Sequence, residues 1–265
     1  MVIDELLDAG GVLVLSGAGL STESGIPDYR GPSSVRRTPM TFQDFTGTAA
    51  ARQRYWARAH LGWRVIGSAR PNAGHRAVAE LQTSGLLHGI ITQNVDQLHQ
   101  AAGAVDVLEL HGSLASVVCL GCGAKVSRQE HDQRLRDANP GFTATAPALP
   151  DGDVALEDVS AFNVVDCSRC GGVLKPDVVF FGENVPAPTV ARAFALTDSC
   201  TSLLVLGSSL TVRSGYRFVL RASQRRIPIA IINQGPTRAD ELATIRVDAP
   251  LGETLTHVLQ DRMTA

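Results

Sequence analysis

The chain of 265 residues has very little lysine, few aromatic residues and no long hydrophobic run. Only Lys125 and Lys175 accompany its 22 arginines, a bias that we attribute to genome composition. The longest apolar runs, such as 203–206 and 227–232, are far shorter than the roughly 18 residues of a membrane span. A net charge of −2 disfavours a general nucleic-acid coat. The first basic residue is at position 30, which argues against a secretory or transit signal and predicts a cytoplasmic location.

Apolar segments that alternate with helical patterns predict a parallel, doubly wound sheet. Strands are expected at 11–15, 89–92, 107–110, 178–180, 203–206, 229–232 and 246–247. Helices are expected near 3–9, 41–61, 71–85, 189–199, 210–224 and 252–260. Between about residues 112 and 175 this alternation is replaced by paired cysteines and short β-like pieces. That stretch predicts an insertion with its own small core.

Four of the five cysteines form two C-x-x-C pairs, each followed by glycine: Cys119, Cys122, Cys167 and Cys170. Two such turns present four thiolates and make a tetrahedral zinc site. Without an export signal this pattern favours a metal over disulfides, and its duplication disfavours a redox pair. Four protein ligands leave no position for water, so the predicted zinc is structural. Cys200 stands alone and is interpreted as a small buried hydrophobe.

The turn after the first strand contains Gly17, Ala18, Gly19 and Ser21. A Gly-x-Gly turn that opens a helix brings backbone N–H groups close to a pyrophosphate. The dehydrogenase fingerprint is incomplete, because Thr22 replaces its third glycine and no acidic strand end follows about twenty residues later. A simple hydride-transferring enzyme is therefore disfavoured, and a plain strand-to-helix turn is the alternative.

Small or polar residues also follow later strands, where open α/β sheets bind ligands. They form the segments 93–96, 207–209 and 233–235. Helix capping by Asn94 and Asp96, and ordinary turns elsewhere, are the alternatives. Among the histidines we favour His111 for proton transfer, because it ends a predicted strand and precedes a glycine.

In this order the motifs resemble the sirtuin family. The resemblance rests on the glycine turn with residues 25–30, on 92–99, His111-Gly112, the four cysteines, 175–183, 207–210 and Asn233. It spans nearly the whole chain. Residues 22–30 and 52–58 are most similar to the class II branch.

The resemblance implies an α/β fold in which a Rossmann-like parallel-sheet domain accompanies a smaller domain. The large domain would comprise residues 1–25, 70–113 and 177–265. The small domain would combine a helical insertion (26–69) with the zinc module (114–176). The implied activity is NAD-dependent removal of acyl groups from protein lysines, giving nicotinamide, free lysine and O-acyl-ADP-ribose. The partners would be proteins that carry acyl-lysine, and neither nucleic acid nor a membrane is expected as a partner. The sequence does not decide the oligomeric state.

Site roles also follow from the resemblance. His111 would be the general base toward the ribose hydroxyls, and Asn94 would be catalytic while lining the nicotinamide pocket with Ile26 and Asp96. The implied NAD-binding set is Gly17, Ala18, Gly19, Ser21, Ile26, Asp28, Tyr29, Arg30, Gln93, Asn94, Asp96, Gly207, Ser208, Ser209, Asn233, Gln234, Gly235 and Leu251. The substrate peptide would pair as an added strand with Val178, Val179, Phe180, Phe181 and Gly182.

Tyr55 and Arg58 bear on the choice of acyl group. They stand three residues apart in a predicted helix and therefore share a face. The class III branch uses such a pair to bind succinyl-lysine, because the pair can form a charge-assisted hydrogen bond with a carboxylated acyl chain. Because Arg52, Arg54 and Arg64 lie close by, a solvated basic face is the alternative.

Three other functions compete with deacylation. Transfer of ADP-ribose to protein would use the same NAD site. A zinc amidohydrolase needs an open metal site, which four cysteine ligands would close. A zinc-knuckle adaptor for nucleic acid needs a basic stripe, and the module mixes both charges.

Overall fold

The computed structural model describes residues 2–29, 39–143, 156 and 158–264. It divides into two compact units. The first comprises Met1–Val35, Arg70–Leu110 and Val185–Ala265, and the second comprises Arg36–Ala69 and His111–Asn184.

The helices and strands are numbered in chain order over the described residues. The strands are β1 (Val12–Ser16), β2 (Leu87–Thr92), β3 (Leu108–Glu109), β4 (Gly112–Cys119), β5 (Lys125–Ser127), β6 (Leu174–Val178), β7 (Ser202–Leu206), β8 (Ile229–Ile232) and β9 (Ile245–Val247). The helices are α1 (Ile3–Asp8), α2 (Phe42–Gly47), α3 (Ala49–Ser68), α4 (Ala73–Thr83), α5 (Leu98–Ala101), α6 (Arg128–Ala138), α7 (Ala187–Ser199), α8 (Arg213–Gln224) and α9 (Leu251–Thr264).

The first unit is built on a six-stranded parallel sheet in the order β3-β2-β1-β7-β8-β9. Side chains alternate across it: Val12 and Val14 of β1 join the core under α1, α4 and α9, while Leu13 and Leu15 join the core under α7 and α8. Both faces of the sheet are thus covered by helices, as a doubly wound fold requires. The chain leaves β1 toward β2 on one side and returns to β7 on the other, which places the topological switch point between β1 and β7.

The second unit has its own core and its own sheet. Strands β5, β4 and β6 form an antiparallel sheet, and α2, α3 and α6 belong to the same unit. Phe45, Trp56, Leu135 and Phe162 are fully buried in one apolar cluster. Local capping explains why the predicted helix 41–61 is two helices: the Thr48 side chain accepts a hydrogen bond from Ala51 N (3.1 Å) and starts α3 afresh.

Two sequence expectations about this region were wrong. Residues 178–180 were expected to resume the parallel sheet, but β6 ends at Val178 and pairs antiparallel with β4. The insertion was expected to consist of short β-like pieces, yet it contains the three-turn helix α6. The Ser127 side chain caps this helix by accepting from Glu130 N (3.0 Å). The first error arises because a short apolar run does not reveal its pairing partner. The second arises because α6 is mostly charged and polar and so carries little apolar periodicity.

Among the described residues, none of the helices combines the length and apolar character that crossing a membrane demands.

Candidate active site

Two glycine turns meet at the switch point of the first unit. Gly17 N donates to Leu206 O (2.9 Å) and Gly19 N donates to Gly207 O (2.8 Å). A Cβ on Gly17 would lie 2.7 Å from the Ser208 Cβ, and one on Gly19 would lie 2.9 Å from the Gly207 Cα. Gly207 itself has a φ of +62°, which favours glycine. Only glycines allow this close approach, and the result is a cradle of small residues at the strand ends.

The turn after β1 does not open an α-helix, contrary to the sequence expectation. Two single 3₁₀ turns follow instead, Ala18–Leu20 and Thr22–Ser24, and Gly25 ends the second with a φ of +83°. The glycine turn is therefore part of a loop and not the first turn of a long helix.

A hydrogen-bond network ties this turn to the end of β2. Asn94 Nδ2 donates to Gly17 O (3.1 Å) and to Ser21 Oγ (3.0 Å), so both amide hydrogens are engaged. Ser21 Oγ in turn donates to Asp96 Oδ2 (2.7 Å). The orientation of the Asn94 amide is therefore determined, and its oxygen is directed away from these two partners.

Asp96 serves two purposes. Its Oδ1 accepts a hydrogen bond from Leu98 N (3.0 Å), so the capping interpretation holds for Asp96, whereas the Asn94 side chain turns back to the glycine loop. Burial raises the pKa of Asp96, against the opposing hydrogen bonds from the Leu98 amide and Ser21.

Two buried histidines lie next to this network, and sequence reasoning assigned no role to His75. The rings of His75 and His99 are in edge contact at 5.3 Å. His75 Nδ1 accepts from Asn72 N (3.4 Å) and Nε2 faces Ser21 Oγ at 3.5 Å, while His99 Nε2 lies 2.8 Å from Ser16 Oγ. Burial lowers the pKa of His75 to about 3, and that of His99 to about 4, so both rings are neutral.

Gln93 reaches the second glycine turn. Its Nε2 donates to Ser208 Oγ (2.9 Å) and to Ser16 O (3.3 Å), and Gly215 of α8 clears the space it occupies. A Cβ on Gly215 would lie 2.4 Å from the Gln93 Oε1. Sequence reasoning missed Gly215, because a glycine inside a helix carries no local sign of a distant neighbour.

The predicted adenosine-binding residues lie on the neighbouring strand ends. Asn233 Nδ2 donates to Gln234 O (2.9 Å) and Gly235 O (3.0 Å), which closes a compact turn after β8. Ser209 Oγ lies 3.1 Å from Thr211 Oγ1. Leu251 is buried at the start of α9. Glu23, which the sequence did not single out, accepts from the next amide, Gly252 N (3.0 Å), and so links the turn after β1 to α9.

Four further residues of the predicted NAD-binding set follow this turn. Ile26 is buried, and its N–H donates to Ser21 O (3.3 Å). Asp28 and Tyr29 are half-buried, and Arg30 lies outside the described residues.

His111 and the predicted peptide segment belong to the second unit. His111 O accepts from Val179 N (2.8 Å), so the backbone next to the imidazole is joined to the segment 178–182. Gly112 has a φ of +76°, and a Cβ there would lie 2.1 Å from Asp177 O. A glycine is therefore required after His111, because the backbone there passes so close to Asp177 O that a side chain would not fit.

Helix α2 supports the same segment from another direction. Phe42 N donates to Phe181 O (2.9 Å), and Gln43 Nε2 donates to Gly182 O (3.3 Å). Phe180 stacks on Phe45 at a ring distance of 5.3 Å.

Tyr55 and Arg58 share one side of α3 but have different surroundings. Tyr55 is buried with its ring 5.3 Å from that of Phe180, beside the predicted peptide segment. The Arg58 guanidinium donates through Nε (2.9 Å) and Nη2 (2.7 Å) to Leu156 O.

The four paired cysteines converge as predicted. Their Sγ atoms all lie within 4.8 Å of one another, with Cys119–Cys170 at 3.5 Å and Cys122–Cys167 at 3.9 Å. Four sulfurs bound to one zinc at about 2.3 Å would be about 3.8 Å apart, so the cluster fits Zn²⁺. Hydrogen bonds from the Cys122 and Gly121 amides lower the pKa of Cys119 to about 6. For Cys170 the hydrogen bond from the Gly172 amide is outweighed by those among the thiols, which raise its pKa to about 12, so the thiols titrate as a coupled group. Cys200, by contrast, is buried, and burial raises the pKa of its thiol to about 11.

A doubly wound sheet with two glycine turns at its switch point, accompanied by a unit with a cluster of four cysteines, defines a nucleotide-binding α/β protein of Rossmann type. The Sir2 family model matches residues 17–214. The chain is 60% identical over 261 residues to NAD-dependent protein deacetylase 1 of Streptomyces coelicolor, covering 97% of this chain and 87% of that protein. It is 51% identical over 249 residues to the NAD-dependent protein deacetylase of Xanthomonas axonopodis pv. citri, covering 92% and 85%. The chain therefore belongs to the Sir2 family.

Solved structures agree with this assignment. A complex of Sir2 with a p53 peptide and NAD+ has a TM-score of 0.80 at 29% identity, covering 98% of this chain and 97% of that one. Sir2 bound to an acetylated peptide has a TM-score of 0.79 at 28% identity, covering both chains completely.

Proposed function

We propose that this protein is an NAD-dependent protein lysine deacylase that releases nicotinamide, free lysine and O-acyl-ADP-ribose. The observation that carries the proposal is the network that joins Asn94, Ser21 and Asp96 to the glycine turn, within a chain of the Sir2 family. Relatives named NAD-dependent protein deacetylases at 51% and 60% identity support the same activity. We assign NAD binding to the first unit, and the zinc module with the helical insertion to the second.

The chain's own residues suit these roles. Gly17, Gly19 and Gly207 let the two turns pack closely at the strand ends, which is where a doubly wound sheet binds a pyrophosphate. NAD, when bound, supplies a ribose carbon from which nicotinamide can leave. The oriented Asn94 amide would hold a polar partner on the ribose side, and Asp96 would accept a hydrogen bond from a carboxamide. His111 would accept a proton from a ribose hydroxyl, as a general base. The zinc would hold the second unit together without an open position for chemistry.

The products of a defined reaction test this function. We expect O-acyl-ADP-ribose by mass spectrometry when the zinc-loaded protein is mixed with NAD and acetyl-lysine peptide. His111→Ala is expected to lower the rate at least about a hundredfold, because a general base contributes about 10²–10⁴. Omission of NAD serves as the control. ADP-ribosylated protein with intact peptide would instead identify a transferase, and deacetylation without NAD would contradict the proposal.

The acyl preference is a finer proposal. Tyr55 lies beside Phe180 of the peptide segment, which supports a position along the acyl path. If Arg58 recognises a carboxylated acyl chain, Arg58→Met should reduce activity on succinyl- and glutaryl-lysine at least about tenfold more than on acetyl-lysine. Equal losses on all three peptides would show that Arg58 only holds the Leu156 carbonyl. A cytoplasmic location and the lack of nucleic-acid or membrane partners stay predictions of the sequence.

A further inference from the structure

We propose that Lys175 and Glu183 form a clamp that holds the segment 178–183 in its peptide-binding conformation and keeps an added strand off the Val178–Phe180 edge. This inference rests on the proposed function, because it concerns how the acyl-lysine peptide is received. It assigns positioning roles to two residues that do not carry out the reaction.

Lys175 is an unusual lysine because only 4% of its surface is exposed. Its Nζ donates to Val178 O and to Pro176 O (3.3 Å), and lies 3.1 Å from Glu183 Oε2. The ammonium also lies 5.0 Å from the centre of the Phe180 ring, a cation–π distance. One buried positive charge thus touches the start, the middle and the end of the segment.

Glu183 completes the clamp from the other end. Its Oε2 accepts from Phe180 N (2.9 Å), and its own N–H donates to Phe180 O (3.0 Å). These two bonds close residues 180–183 into a turn, and the ion pair joins the end of that turn to Lys175 of β6. Few conformations are left to the backbone between them.

These bonds occupy Val178 O and Phe180 N, two of the polar groups on one edge of the short extended stretch. In a strand, the C=O of residue i and the N–H of residue i+2 point to the same side. Val178 O is taken by Lys175, and Phe180 N by Glu183. On the opposite side, Val179 N donates to His111 O. A peptide cannot add a strand at Val178–Phe180 while the clamp holds, so its pairing must begin beyond Phe180. Of the predicted substrate-binding residues 178–182, only Phe181 and Gly182 would then pair with the peptide backbone.

The chain contains a matched control, because its only other lysine is exposed. Lys125 Nζ lies 2.6 Å from Asp177 Oδ2, with 63% of its side chain accessible. An exposed pair of this kind contributes little to stability. Lys175 differs from Lys125 because its side chain is buried, and removing one partner of a buried pair leaves the other charge uncompensated.

The clamp itself is tested by amide hydrogen exchange followed by mass spectrometry. We expect the fragment containing Phe180 to exchange at least about tenfold faster in Lys175→Met and in Glu183→Gln than in the parent, and unchanged in Lys125→Met. The fluorescence of Trp56 and Trp63, both in the second unit, verifies that each variant is folded. If Lys175→Met does not fold, the exchange rate of the Phe180 fragment in Glu183→Gln alone decides whether the clamp exists.

The consequence for substrate is tested with a fluorescently labelled acetyl-lysine peptide. We expect Lys175→Met to raise the peptide Kd and KM at least about tenfold while the KM for NAD changes less than about twofold. Lys175→Arg, which can donate to both partners, should recover most of this loss, and Lys125→Met should bind like the parent.

Two results would overturn the proposal. Unchanged exchange at Phe180 in both variants would show that no clamp exists. A lower peptide KM in Lys175→Met would show that the pair hinders peptide binding and does not hold the segment in a peptide-binding conformation. If the parent lacks NAD-dependent deacylation, the proposed function fails, whereas the exchange experiment still decides whether the clamp exists.

Discussion

At the scale of single residues, the buried histidines His75 and His99 make stability depend on pH. The pKa of His75 is lowered to about 3 and that of His99 to about 4, whereas both are near 6.5 when the chain is unfolded. Between about pH 6.5 and 4 the unfolded chain therefore binds more protons, and the free energy of unfolding falls as the pH falls. Each histidine contributes a slope of up to about 1.4 kcal/mol per pH unit.

Urea denaturation between about pH 7.5 and 4.5 measures this slope. We expect His99→Gln to flatten it by roughly one histidine's share, whatever its effect on stability at neutral pH. His257→Gln, on the exposed side of α9, should leave the slope unchanged. A slope that is the same in parent and His99→Gln would mean that His99 binds its proton at the same pH in the native protein as in the unfolded chain.

At the scale of elements, one buried carboxylate takes part in the contact between α3 and α6. Asp132 Oδ1 lies 2.7 Å from His60 Nδ1, and Oδ2 lies 2.5 Å from Arg136 Nη1. Burial alone would raise the pKa of Asp132, but the hydrogen bond from His60 and the charges of His60, Arg128 and Arg136 outweigh it and lower the pKa. Arg128 is itself buried, 5.3 Å from the Trp56 ring and 5.0 Å from that of Trp63.

We expect Asp132→Asn to destabilise the second unit by about 3 kcal/mol at neutral pH, as for a buried pair that loses one partner. Because the native pKa is lowered, this stabilisation is present above the unfolded pKa of about 4 and is lost as the pH falls through the native pKa. Urea titrations followed by tryptophan fluorescence should show the difference between parent and variant shrinking below about pH 4. Asp137→Asn, exposed on the same helix, is the control. An equal effect of both substitutions would exclude the buried network as the cause.

At the scale of the whole molecule, the two units have separate apolar cores, and the zinc site lies in only one of them. Both tryptophans of the chain, Trp56 and Trp63, are in that second unit. We expect a strong chelator, or Cys122→Ser, to change the tryptophan fluorescence while most of the far-UV circular dichroism remains. The reason is that the four cysteines lie in the second unit, whereas most helices and the six-stranded sheet lie in the first.

Zinc content measured by mass spectrometry should fall from one equivalent to none in parallel with the fluorescence change. Re-addition of Zn²⁺ should restore the parent's signal but not that of Cys122→Ser. Simultaneous loss of fluorescence and circular dichroism would show instead that the two units unfold together.

Much of the molecule could be predicted from local patterns alone. The apolar runs Val12–Ser16 and Ile229–Ile232 identify strands of a buried sheet, because such strands are apolar on both faces. The two C-x-x-C pairs specify a metal site, since each pair presents two thiolates whatever surrounds it. Glycines and short polar residues at strand ends indicate a ligand site, because parallel strands end on the same edge.

Other features depend on residues that are far apart in the chain, and no local pattern reports them. Val178 pairs with Gly112 in an antiparallel ladder, so its strand belongs to the unit that contains the four paired cysteines. His75 meets His99, and Gly215 meets Gln93, only after helices and strands have packed. The burial of Lys175 is likewise a property of tertiary packing, because a lysine in isolation is expected at the surface. Local periodicity decides which elements form, whereas long-range packing decides which side chains lose contact with water and which partners they find.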